Sequence, residues 1–189
     1  EIDRETVVTY REAILQNTAP TNVVIIGGGA IGAQFSFIYN AYGAKVTLIE
    51  ALSRILPSED LESSAVLMRS FRKRGIKSFV DSKVKRVEKI SSGAIVHVEI
   101  AGDDDMCISA DRVLICTGIL ANTEGLGLEI AGVELEEGFI KVDGNMRTTA
   151  DGVFAIGDVT GKMPLAHVAQ AQAMLVAEMI AGQETQPID

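Results

Sequence analysis

The apolar positions of this chain change period several times, and each change marks an element. Residues 23–26 (VVII) are an unbroken β-branched run, as in a buried strand. Over 30–42 the residues Ile31, Phe35, Ile38 and Tyr42 recur at helical spacing, which predicts a helix with that stripe against a sheet. Gly43 ends it, and a second apolar strand runs to Glu50. ALSRILPS reads as a loop closed by Pro57. Ser58 is the predicted N-cap of the next helix. Glu59, Asp60 and Glu62 open that helix, Arg69, Arg72, Lys73 and Arg74 close it as a solvated basic end, and Gly75 follows. A strand is predicted over 76–80. Four β-prone runs come next, at 84–90, 94–100, 106–110 and 112–116, separated by tight turns, and they predict an antiparallel meander with the acids of 103–105 at a hairpin tip. Upstream, 6–10 reads as a short strand and 11–15 as a helical piece. Downstream, 119–147 is loop-rich with a strand at 139–142, and 153–156 reads as a buried strand. An alanine-rich helix over 165–181 ends at Gly182. The pattern is α/β: a parallel sheet with helices, plus an antiparallel β-meander.

Chemistry enters at the first strand–helix junction. Gly27, Gly29 and Gly32 spell G-x-G-x-x-G, with Gly28, Ala30 and Ile31 as the intervening residues. The string alone is weak, but here it lies between a strand and a helix, where it reads as a dinucleotide fingerprint. Gly27 allows the sharp turn, Gly29 lets a pyrophosphate approach the backbone, and Gly32 lets helix and strand pack closely. The helix N-terminus offers free N–H groups to the phosphates. Glu50 ends the second strand, 18 positions after Gly32. A carboxylate there can accept both hydroxyls of an adenosine ribose and repels a 2′-phosphate, so NAD(H) is expected over NADP(H). Taken alone, Glu50 also suits a surface acid closing an ordinary βαβ unit.

Composition narrows the partners. At 189 residues the chain holds one domain or two small ones, and 47% hydrophobic content suffices for a core. A net charge of −9 argues against nucleic acid or an anionic membrane as partner. No apolar run reaches the ~20 residues of a membrane-spanning helix. Cys107 and Cys116 stand nine positions apart, which fits no C-x-x-C or zinc pattern, and both are expected as inert buried thiols. His97 is expected as a structural strand residue. With His167 as the only other histidine, a multi-histidine metal site is excluded. The chain begins at Glu1 without methionine and reads as a piece of a longer protein.

A second candidate site lies near the C-terminus. Asp158 follows an apolar run and a glycine, the position at which α/β sheets bind ligands. Its carboxylate can accept hydrogen bonds from ligand hydroxyls. The helix beginning at Leu165 can turn its free N–H groups toward an electron-rich atom such as a flavin carbonyl oxygen. The residues alone leave open whether Asp158 is instead a plain turn residue.

TTADGVFAIGDVTGKMPLAHVAQAQA resembles the second FAD motif of the pyridine nucleotide–disulfide oxidoreductases. GGGAIG with Glu50 resembles that family's NAD fingerprint. EALSRILP is similar to the segment after the acid, especially in the dihydrolipoamide dehydrogenases, and ICTG at 115–118 resembles the turn by which the chain leaves the NAD domain. The resemblance covers nearly the whole chain. It implies a Rossmann-like FAD/NAD(P)-binding fold and an oxidoreductase passing two electrons between NAD(H), FAD and usually a cysteine pair. It further implies that Gly27, Gly28, Gly29, Ala30, Ile31, Gly32, Ala33, Gln34, Glu50, Val84 and Gly118 contact NAD. Asp158 would hold the ribityl chain of FAD, with Leu165, Ala166 and His167 beside the flavin ring.

The same resemblance divides the chain into a connecting segment over 1–20, an NAD-binding domain over 21–120 and the C-terminal part of an FAD-binding domain over 121–189. The first FAD glycine motif, the C-x-x-x-x-C pair and the interface domain of the family have no counterpart here. A catalytic centre, bound FAD and lipoamide reduction are therefore not expected of this chain alone. The full-length parent is expected to be a cytoplasmic homodimer. Gln34 stands where many members have glutamate, Ala30 where several have a gating aromatic, and Ile119 where an arginine often follows Thr-Gly, although Asn122 is kept. Alternatives are an NADH oxidase, coenzyme A-disulfide reductase or mercuric reductase of the same family, and a non-catalytic nucleotide-binding module.

Overall fold

The computed structural model describes residues 2–102 and 105–188, so Asp103 and Asp104 of the expected hairpin tip lie outside the described residues. The chain divides into two compact units, Glu1–Gly118 and Ile119–Asp189.

In the first unit the elements run β1 (Val7–Val8), α1 (Tyr10–Ile14), β2 (Asn22–Ile26), α2 (Ala30–Ala41), β3 (Lys45–Ile49), α3 (Leu61–Arg74), β4 (Lys77–Phe79), β5 (Ser82–Ile90), β6 (Gly93–Ile100), β7 (Met106–Ala110) and β8 (Arg112–Ile115). Five strands form a parallel sheet in the order β1-β8-β2-β3-β4. β5, β6 and β7 form a separate antiparallel sheet. The expected four-run meander therefore has three strands. The fourth run, β8, lies inside the parallel sheet between β1 and β2. Val113 and Leu114 are adjacent and both fully buried, as only a strand covered on both faces allows.

Strand alternation builds two cores. Val23, Ile25, Val46, Leu48 and Leu114 pack with Ala33, Phe35, Tyr39 and Phe71 of the helices. Val24, Ile49 and Val113 point the other way and pack with Ala94, Val96, Val98 and Ala110 of the meander. Phe71 is wholly buried, meets Phe37 edge-on at 5.1 Å between ring centroids, and its truncation to alanine would cost about 3–5 kcal/mol.

Two helices depart from expectation. α2 buries Gly32, Ala33, Phe35, Ser36 and Tyr39, whereas Ile38 and Tyr42 are 44% and 73% exposed. Of the expected stripe, Phe35 is buried and Ile31 packs against the core, but the inner face turns toward Gly32, Ala33, Ser36 and Tyr39 and leaves Ile38 and Tyr42 outside. α3 begins at Leu61 with Asp60, not Ser58, as N-cap. Leu56 takes a left-handed φ of 48° and its carbonyl receives the Glu59 amide, so 57–59 form a turn before the helix. Gly75 closes α3 with φ 75°. Near the N-terminus, the strand expected over 6–10 is only β1. Thr9 instead caps α1, and Glu12 accepts the Thr9 amide in return.

The second unit holds β9 (Leu135–Glu136) paired with β10 (Phe139–Ile140), a 3₁₀ turn at Gly157–Thr160, and α4 (Ala166–Ile180). The buried strand expected over 153–156 is absent. Phe154 makes one isolated bridge to Arg147, and Val153 and Ile156 are more than a third exposed. Among the described residues no helix is long and apolar enough to cross a membrane.

Candidate functional site

The glycine turn is built by contacts that no other residue would allow. Gly27 ends β2 at φ 107°, and a Cβ there would collide with the Cys116 carbonyl at the end of β8. Its amide donates to the Ile49 carbonyl at 2.8 Å, and the Cys116 amide donates to the Ile26 carbonyl at 2.7 Å. The three central strands thus end together beneath the turn. A Cβ on Gly32 would collide with the Gly27 carbonyl, so the first turn of α2 rests on the turn itself. Ser36 satisfies the buried Gly32 carbonyl with its hydroxyl at 2.7 Å.

Gly29 is different. Its φ of −70° suits any residue, and a Cβ there would meet nothing within 4 Å. Packing within the chain does not require glycine at this position, whereas a ligand lying against the backbone would. Gly29 is the N-cap of α2 and no side chain caps that helix, so its first N–H groups have no side-chain acceptor. Ala30 and Ile31 follow in the first helical turn, Ala33 is buried beneath it, and Gln34 is exposed.

Glu50 stands at the end of β3 and is 8% exposed. One carboxylate oxygen accepts the Gly28 amide at 2.5 Å and the other accepts the Leu52 amide at 2.8 Å. The Gly28 carbonyl in turn accepts the Leu56 amide at 2.7 Å. The carboxylate therefore ties the glycine turn to the loop after β3. Each of its oxygens keeps a lone pair for a further donor.

The structure brings residues 27–34 and Glu50 into one assembly. Val84 is half-buried at a β-bulge in β5. Gly118 lies just beyond β8 with φ 142° and open space where a Cβ would be. Cys116 is half-buried, and burial pushes its thiol up to about 12, which leaves it inert at neutral pH. Cys107, expected to be buried, is exposed: the alternation of β7 turns Ile108 and Ala110 inward and Cys107 and Ser109 outward.

In the second unit Asp158 lies exposed in the 3₁₀ turn. Gly157 precedes it with φ 77° and packs against Ala169 of α4. The Gly157 amide donates to the Gln172 side-chain carbonyl at 2.7 Å, and Gln172 is 2% exposed. Sequence reasoning missed Gln172. Its signal was a lone amide on the alanine-rich inner face of α4, where a buried polar group must have a partner. Leu165 is the N-cap of α4, again without a side-chain cap, and Leu165, Ala166 and His167 are exposed.

Residues 2–173 match the family model described as pyridine nucleotide-disulphide oxidoreductase. Among curated proteins, the dihydrolipoyl dehydrogenase of Chlorobaculum tepidum is 40% identical over 188 residues, which are 100% of this chain and 40% of that protein. The dihydrolipoyl dehydrogenase of Corynebacterium glutamicum is 43% identical over 188 residues, 97% of this chain and 40% of that protein. Among solved structures, LpdA of Mycobacterium tuberculosis matches with TM-score 0.90 at 32% identity, covering 99% of this chain and 40% of its own. The HOCl-induced flavoprotein disulfide reductase RclA of Escherichia coli matches with TM-score 0.85 at 27% identity, covering 96% of this chain and 41% of its own. The chain thus spans about two fifths of the length of the curated relatives it matches.

Proposed function

The chain belongs to the pyridine nucleotide-disulphide oxidoreductase family, and on that premise we propose that it supplies the NAD(H) site and part of the flavin site of a longer dihydrolipoyl dehydrogenase-like enzyme. The observation that carries the reading is the open space before Gly29, a glycine the fold does not need, beside the uncapped N-terminus of α2. A pyrophosphate lying there meets backbone N–H groups at the positive end of a helix dipole. Glu50, held by Gly28 and Leu52, presents its remaining lone pairs to the adenosine ribose and disfavours a 2′-phosphate. Val84 and Gly118 complete the NAD contacts in this reading.

The residues of the second unit fit a partial flavin contact. The exposed Asp158 carboxylate would accept from ribityl hydroxyls, and the N–H groups at Ala166 and His167 would be available to the ring, with Leu165, whose own amide donates to the Met163 carbonyl at 2.7 Å, beside it. Gln172 holds the Gly157–Asp158 turn in place. Bound together, the two cofactors supply hydride transfer to or from the nicotinamide and two-electron exchange with a disulfide. The parent activity in this reading is oxidation of dihydrolipoamide with NAD⁺ through FAD and a redox disulfide, in a homodimer. In this reading the catalytic centre is completed only in the full-length parent.

The test is a calorimetric titration of the chain with NADH and with NADPH. NADH binds more tightly in this account, and Glu50→Ala narrows the gap. Equal or tighter NADPH binding by the unsubstituted chain overturns the assignment.

A further inference from the structure

On the outward face of the meander three side chains from three strands meet. His97 of β6 and Cys107 of β7 stand directly opposite each other, and the Cys107 sulfur lies 3.3 Å from His97 Nδ1. The other ring nitrogen, Nε2, lies 3.3 Å from Glu88 Oε2 on β5. Arg86 also reaches the Glu88 carboxylate, at 3.3 Å, and so orients it. An imidazole whose Nε2–H donates to a carboxylate is fixed in the tautomer with a free lone pair on Nδ1. That lone pair is aimed at the thiol proton. A nucleophile, a base within hydrogen-bond reach and a group orienting the base is the arrangement that activates thiols.

The inner face of the same strands does not need these residues. Ala94, Val96 and Val98 of β6 and Ala110 of β7 make the contacts to the parallel sheet. Cys107 is exposed to reagents. Cys116 provides an internal contrast: it is half-buried, and its thiol is held protonated by that burial.

We propose that Cys107 is a site of covalent modification by low-molecular-weight disulfides, with His97 as its base and Glu88 as the residue that positions the base. In the step, the Cys107 S–H gives its proton to His97 Nδ1, and the thiolate attacks one sulfur of the disulfide. The disulfide's S–S bond breaks as a new S–S bond to Cys107 forms. The departing thiolate takes the proton from the imidazolium. Cys107 is oxidised, half of the reagent is reduced to a thiol, and no other reactant is needed.

The test exposes the chain to bis(2-hydroxyethyl) disulfide, a neutral reagent, and follows adduct formation at each cysteine by peptide mass spectrometry. Cys107 is expected to react at least about tenfold faster than Cys116, because only a thiolate is nucleophilic. His97→Asn and Glu88→Ala are both expected to slow Cys107, His97→Asn by about tenfold and Glu88→Ala by less, with thermal midpoint and NADH affinity unchanged. Rates at Cys107 that are the same in the unsubstituted chain and in Glu88→Ala overturn the proposal, since exposure alone would then govern the reaction. So does faster reaction at Cys116. Glu88 is on the surface, so its variant decides the matter even if His97→Asn fails to fold.

Discussion

The Glu50 carboxylate accepts the Gly28 amide at 2.5 Å, which makes the acid that ends β3 and the turn that begins α2 a single structural unit. The bond gives Glu50 a structural role besides the proposed ribose contact. Glu50→Ala removes acceptors for two amides, Gly28 and Leu52, and is expected to lower folding stability by about 1–3 kcal/mol as well as weaken NADH binding. Glu50→Gln keeps one acceptor oxygen and should fall between the two. Urea unfolding and NADH titration of the three proteins check this, and a fully stable Glu50→Ala would contradict it.

Gly29 and Gly32 should respond to alanine in opposite ways. Gly32→Ala forces a methyl group into the Gly27 carbonyl and is expected to destabilise the chain by about 1–3 kcal/mol. Gly29→Ala meets open space at an ordinary φ, so stability should stay within about 0.5 kcal/mol while NADH binding falls. Thermal melts with and without NADH separate the two effects. Undiminished NADH binding by Gly29→Ala would remove the argument that a ligand lies there.

Much of the first site can be read from residues 23–50, because strand, glycine turn, helix and acid each carry their own signal. The inner face of α2 could be read only in part from its large apolar residues: Phe35 and Ile31 face the core as expected, but close approach at Gly32, Ala33 and Ser36 turns the face away from Ile38 and Tyr42. β8 was misplaced because an apolar run ending a series of short strands looks like one more of them. Its cue was that Val113 and Leu114 are apolar in succession, which a half-exposed meander strand avoids. The alternation in MCISA already placed Cys107 outward, but its meeting with His97 and Glu88 depends on strand register, which spacing alone does not reveal. The run at 153–156 has the composition of a strand, yet only Phe154 finds a bridge partner among the described residues.

Gln172→Ala leaves the partly buried Gly157 amide without its acceptor and is expected to destabilise the second unit by about 1–3 kcal/mol. Hydrogen exchange should show lost protection at Gly157 and along α4. Unchanged protection at both would contradict the role assigned to Gln172.

Asp3 predicts an acid-sensitive contact. The Lys89 ammonium, 2.7 Å away, holds its carboxyl far below the usual carboxylate range, helped by the amides of Glu5, Val7 and Thr6. A carboxyl lowered in the folded state contributes stability above its unfolded value of about 3.9 and loses it as pH falls toward the folded value. Asp3→Asn should therefore be less stable than the unsubstituted chain at neutral pH, with the difference shrinking below about pH 4. Denaturation midpoints measured from pH 7 down to pH 3 test this. A difference that stays constant over that range would contradict it.

The most direct test of the central claim is an amide NMR titration of the chain with NADH. The account predicts that the largest shifts fall on residues 27–33 and on Glu50 and Leu52, and that the same concentrations of NADPH produce smaller ones. Shifts confined to other parts of the chain, or equal shifts with both nucleotides, would contradict it.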